Sequence, residues 1–115
     1  MTIDQLQSTV DGWIREHGVR YFDPMTNLGQ LVEEVGEVSR ILSRTAGEQS
    51  YKPGRAPEDP TAALADELAD VMFVVTCLAN QSGIDLDEAM ERNLAKKTGR
   101  DVDRHRSNPK LNPGA

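Results

Sequence analysis

Aromatic side chains are scarce, with one Trp, two Tyr and two Phe in 115 residues. A core in such a chain is aliphatic rather than built on large rings. There is one cysteine, Cys77, which excludes an internal disulfide and fits a reducing cytoplasm. Histidine occurs twice, at His17 and His105, and Cys77 has no histidine or cysteine partner at ligand spacing, which disfavours zinc. No run of about 18 or more apolar residues is present, so no membrane-spanning helix is expected. The opening "MTIDQLQSTV" lacks the basic and apolar regions of a signal peptide, and the expected location is cytoplasmic.

What is present is acid. The formal net charge of −6 argues against a broad basic surface for nucleic acid. It leaves room for a polyphosphate ligand if divalent cations reverse the local sign. At this length the chain is one domain, expected to be a helical body over 1–106 with a flexible tail over 107–115.

No alternating strand pattern persists. Ile3, Leu6, Val10, Trp13 and Ile14 recur at helical spacing between a Thr2 cap and a stop at Gly18, with Trp13 read as a core anchor. Asp23–Pro24 and Asp59–Pro60 each pair an N-cap with the proline suited to a first helical position. They open helices running to about Arg44 and to near Gly83. In the former, the stripe Leu28, Leu31, Val32, Val35, Val38 and Leu42 is expected to pack inward. Asp85 with Glu88 reads as a capping box for a fourth helix ending about Gly99. The Gly- and Pro-rich residues 45–60 form a long polar connector that could carry Tyr51, Lys52 and Arg55 toward a ligand. Four helices make an all-α bundle.

The stretch "GQLVEEVGEVSR" crowds Glu33, Glu34 and Glu37 into five positions of one helix. With Leu28 at zero, they fall near roughly 140°, 240° and 180°, opposite the apolar stripe, as a solvated face would. The third helix differs. Counted from Leu64, Glu67 and Asp70 fall near roughly 300° and 240°, the sector of Val71, Val74, Cys77 and Leu78. A buried unpaired carboxylate costs several kcal/mol or takes up a proton. Lys96, Lys97 and Arg100 in the fourth helix could compensate the acids as an ion-pair network. A hard cation is the other solution. Glu34 with Glu37, and Glu67 with Asp70, are i,i+3 pairs that each project from one helix face. Two such faces suit Mg²⁺ or, as a substitute, Mn²⁺. A di-iron centre would need Glu-x-x-His on two helices, and neither histidine follows a glutamate at that spacing.

"EEVGE" followed by "ELAD" resembles the EExxE…ExxD signature of the MazG-like, all-α nucleotide pyrophosphohydrolases, especially the small single-domain bacterial proteins. "YFDP", "DVMFVVTCLANQSGIDL" and "RNLAKKTGRDVDR" extend the likeness over roughly residues 5–104. The resemblance implies a four-helix bundle of the all-α NTP pyrophosphatase type, assembled as a homodimer or homotetramer. It implies Mg²⁺-dependent conversion of a nucleoside triphosphate to its monophosphate and pyrophosphate, a reaction that can clear the nucleotide pool. Carried over position by position, it makes Glu34, Glu37, Glu67 and Asp70 the metal ligands and Glu33 the catalytic base or a further ligand. Asn93, Lys96 and Arg100 match phosphate-contacting positions. Lys97 departs from the aromatic residue common there, and the 30-position interval from Glu37 to Glu67 is long for the family. A non-catalytic helical module that binds metal or nucleotide is the competing function.

Overall fold

The computed structural model describes residues 1–114. It contains four α-helices and, among the described residues, no strand: α1 (Ile3–Trp13), α2 (Pro24–Thr45), α3 (Pro60–Gln81) and α4 (Leu86–Arg106). Local chemistry sets the starts. The Thr2 hydroxyl accepts from Gln5 N at 3.1 Å while Gln5 Oε1 accepts from Thr2 N at 2.7 Å, a reciprocal capping box. Asp23 and Asp59 accept from Met25 N and Ala62 N, each just ahead of its proline. Asp85 accepts from Glu88 N at 3.2 Å, so one half of the expected fourth box forms. The end of α3 is a Schellman motif: Gly83 takes φ 68° and Ile84 N donates to Ala79 O at 2.9 Å.

After Trp13 the first helix does not stop but widens into a π-helical turn, Ile14–Gly18. Val19 follows at φ 71°, ψ −60°, and Arg20 N donates to Gly18 O at 2.9 Å. That is a γ-turn of the rarer hand, a strained conformation for a β-branched residue.

Packing centres on α3, which meets α2 along its length and α1 near its C-terminal half. Glu34 lies opposite Glu67 and Asp70, and Asn27 opposite Gln81, so α2 and α3 run antiparallel. Val10, Ile14 and Cys77 form the buried apolar cluster, with Leu6, Tyr21 and Phe73 packed on it.

Three expectations need correction. Trp13 is 50% exposed and is not a core anchor. On α2 the side facing α3 carries Asn27, Leu31, Glu34, Val38 and Ile41, centred near about 260° rather than 330°. Four of the six residues of the predicted stripe (Leu28, Val32, Val35 and Leu42) therefore point away from α3 and are exposed, as are Leu68 and Met72 on α3. Finally, α4 runs past Gly99 to Arg106. Asp101 accepts from Arg100 at 2.8 Å and meets Arg104 at 3.2 Å, tying the helix together where glycine weakens it. Beyond α4, the Asn112 amide donates to the carbonyls of His105, Arg106 and Asn108.

The fourth helix packs mainly on α1, through a small patch. The radius of gyration is 18.2 Å, against about 13 Å for a compact chain of this length.

Candidate active site

Glu34 from α2 and Glu67 and Asp70 from α3 each bring a carboxylate oxygen to within 4.8 Å of the others. The antiparallel pairing makes this possible: Glu34 stands on the α2 face that meets α3, and Glu67 and Asp70, one turn apart, share the answering face. Glu34 and Glu67 are half-buried and Asp70 is exposed. Burial, then the charges of Asp70, Glu67, Glu37 and Glu33, push the Glu34 carboxyl above the ordinary carboxylate range. Glu67 is pushed up in the same way, by burial first and then by Asp70, Glu37 and Asp66. No lysine or arginine appears among the charges acting on either group. Among the described residues, none of Glu33, Glu34, Glu37, Glu67 or Asp70 forms a salt bridge. Among the described residues, the ion-pair network that could have compensated these acids does not form.

The other residues singled out from the sequence are placed differently. Glu37 is exposed, one turn beyond Glu34, and reaches the cluster electrostatically without joining its tight trio. Glu33 is exposed beside Glu34. Asn93, Lys96 and Arg100 lie on the exposed surface of α4, which has no substantial contact with α2 or α3, and Arg100 is engaged with Asp101. A single chain does not bring these three to the acids.

A cavity of about 340 Å³ opens beside the carboxylates, with Glu34 and Asp70 in its wall. Four of the chain's five aromatic residues, Trp13, Tyr21, Phe22 and Phe73, line it. Trp13 stands edge-on to Phe73, with ring centroids 5.7 Å apart. Phe22 is 57% exposed at its edge. Tyr21 donates to Asp11 at 2.7 Å and accepts from Asn80 at 3.0 Å, and burial followed by the Asp11 bond pushes its phenol up to about 12. Asn27, also in the wall, is a buried polar residue that composition and pattern had not flagged. Its signal was positional: it precedes Glu34 by seven residues, two turns along the same face.

An all-α chain that gathers unpaired carboxylates beside an aromatic cavity offers oxygen donors that could hold a cation next to a pocket for a ring. The family model for the MazG nucleotide pyrophosphohydrolase domain matches residues 22–105. The chain belongs to that family, and the enzyme class is nucleotide pyrophosphohydrolase. It is 39% identical over 103 residues to YpjD of Bacillus subtilis (strain 168), covering 90% of this chain and 89% of YpjD. The crystal structure of YpjD superposes with a TM-score of 0.72 at 38% identity, covering 84% of this chain and 94% of that one. A MazG protein conserved in Bacillus, described as a nucleotide pyrophosphohydrolase, superposes with a TM-score of 0.72 at 32% identity, covering 90% and 96%.

Proposed function

We propose that the chain hydrolyses a nucleoside triphosphate, ribo or deoxy, to the monophosphate and pyrophosphate in the presence of Mg²⁺, and so helps clear the nucleotide pool. The observation that carries this reading is the convergence of Glu34, Glu67 and Asp70 without a cationic partner, at the edge of an aromatic cavity. Carboxylates raised by burial and then by mutual repulsion fit a hard divalent ion, for which oxygen donors are the preferred ligands. Glu34, Glu67 and Asp70 would hold it, with Glu37 as the fourth ligand. When bound, Mg²⁺ supplies positive charge to the triphosphate and polarises water; Mn²⁺ is the natural substitute.

The chain's own groups do the rest. Trp13 and Phe22 offer ring faces to a base, an interaction worth about 1–3 kcal/mol per stacked base. Glu33, exposed next to Glu34, is the candidate to accept the proton of the attacking water. The position of α4 supports a homodimer or homotetramer, in which Asn93, Lys96 and Arg100 of one protomer approach the acids of another. The exposed Val32, Val35, Leu68 and Met72 are the surface such an assembly would cover. A cytoplasmic location, where triphosphates and Mg²⁺ coexist, suits this chemistry.

The test is pyrophosphate release from a panel of triphosphates, with and without Mg²⁺. Glu67→Gln and Asp70→Asn should each reduce Mg²⁺-dependent release by at least about a hundredfold while circular dichroism stays helical. Unchanged turnover in both variants refutes the assignment. Light scattering of wild type and Met72→Glu reads the assembly, and a wild-type monomer at micromolar concentration refutes that part.

A further inference from the structure

One wall of the cavity contains a hydrogen-bond relay whose polarity is fixed by the backbone. The Phe22 carbonyl can only accept. Gln81 therefore turns its Nε2 toward it, at 2.9 Å. That leaves Gln81 Oε1 facing Asn27, so Asn27 must present Nδ2, at 2.8 Å. The same Nδ2 also reaches Phe22 O at 3.5 Å. Both donor directions of the Asn27 amide are thus taken up on one side. Among the described residues its Oδ1 accepts no hydrogen bond, yet no fully buried side-chain polar atom lacks a partner. Oδ1 consequently keeps an open side. Asn27 is 5% exposed and lines the cavity, so the polar group it has left for an occupant is an acceptor and not a donor.

The distance along α2 fits a nucleotide. Asn27 and Glu34 are two turns apart, about 10 Å along the axis, the same order as the span from a nucleotide's first phosphorus to the far edge of its base. With the phosphates at Glu34 and Asp70, the base edge comes to Asn27. We infer that Asn27, its amide oriented by Gln81, is a specificity-determining residue that favours bases presenting an amino group at that edge (cytosine or adenine) over bases presenting a carbonyl (uracil or hypoxanthine). An amino group donates to Oδ1, whereas a carbonyl at the same place sets two lone-pair oxygens against each other. Gln81 is a positioning residue in this arrangement. The inference rests on the nucleotide reading of the cavity.

The paired nucleotides CTP with UTP, and ATP with ITP, exchange amino for oxo on an otherwise matching ring. For each pair the assay measures equilibrium binding by calorimetry with Mg²⁺ and, separately, kcat/KM for pyrophosphate release. Wild type should prefer the amino member by about tenfold or more. Asn27→Leu should bring the ratio to within about twofold, and Asn27→Asp, which keeps an acceptor, should preserve the direction of preference. Gln81→Leu frees the amide to turn over and should also flatten the ratio; a merely structural role for Gln81 would weaken both members equally and leave the ratio unchanged. If Asn27→Leu does not fold by thermal melting, Gln81→Leu decides on the same ratio. A wild-type ratio near one, or a preference for UTP and ITP, overturns the inference even where pyrophosphate is released. An amino preference in binding without any pyrophosphate upholds the inference and refutes the hydrolytic reading. Absence of nucleotide binding removes both.

Discussion

Gln7 and Asn80 clasp each other twice: Gln7 Nε2 donates to Asn80 Oδ1 at 3.0 Å, and Asn80 Nδ2 donates to the Gln7 carbonyl at 2.9 Å. Gln7 Nε2 also reaches Ile84 O at 2.8 Å, and Gln7 Oε1 accepts from Leu86 N at 2.9 Å. One side chain on α1 therefore secures the end of α3 and the first residue of α4. Gln7→Ala should destabilise the fold by about 1–3 kcal/mol, read from the urea midpoint. It should also speed amide exchange at Leu86, which loses its acceptor.

Val19 supplies a second stability test. Its φ of 71° in a γ-turn is a conformation that glycine adopts without penalty. The side chain is 87% exposed, so removing it sacrifices little contact. Val19→Gly should stabilise the chain by roughly 1 kcal/mol, relief of strain exceeding the entropy added to the unfolded state. A lower urea midpoint for the variant would show that the turn is not strained.

The carboxylates proposed to hold the metal should weigh on the metal-free fold. Glu67→Gln removes a charge that its neighbours repel, and should raise the melting temperature in EDTA by a few degrees, on the order seen for single stabilising changes. Mg²⁺ should raise the wild-type melting temperature if it binds as proposed, and the same change should erase most of that rise. The sign with pH is fixed by the upward shift. A carboxyl held above its ordinary 4.5 contributes stability below that value and loses it as pH rises through the folded value. The advantage of Glu67→Gln in EDTA should therefore open as pH rises toward neutrality and vanish in acid. Differential scanning fluorimetry across that range reads both effects.

Tyr21 gives a prediction at the other end of the scale. Its phenol, pushed up to about 12 from an ordinary 10.0, stabilises the fold while neutral. That contribution is complete below pH 10 and declines as pH rises through the folded value. Tyr21→Phe removes the bond to Asp11 and the acceptor for Asn80, and should cost about 1–2 kcal/mol at pH 7. The gap between variant and wild type should narrow above pH 10 in urea titrations. Ultraviolet absorbance should lose the late tyrosinate step.

The sequence marked the two Asp–Pro helix starts because capping chemistry is local, and the structure forms both caps. It also marked Glu67 and Asp70, since acids in an apolar sector of a helix require an explanation. It did not reveal which way α2 faces. That helix has apolar residues on two flanks, Leu31 and Ile41 toward α3 and Val32 and Val35 away from it. Periodicity sums the flanks without saying what covers each, so by helix angle alone Glu34 reads as part of a solvated face. Trp13 misled for a related reason: helical spacing says that a residue belongs to an apolar face, not that a ring there is sealed. The γ-turn left no mark at all, because valine is not a turn residue and only the surrounding packing places it there. Gly99 reads as a stop, but a glycine costs only about 1 kcal/mol within a helix, and Asp101 with Arg100 and Arg104 carries α4 past it.

The outlying position of α4 has a practical consequence for anyone assaying the enzyme. Its polar side chains Asn93, Lys96 and Arg100 do not reach the acids within one chain, and in the proposed assembly they would do so only from a neighbouring protomer. Specific activity should therefore fall as the stock is diluted, recover with molecular crowding agents that favour encounter, and vary between laboratories that work at different protein concentrations.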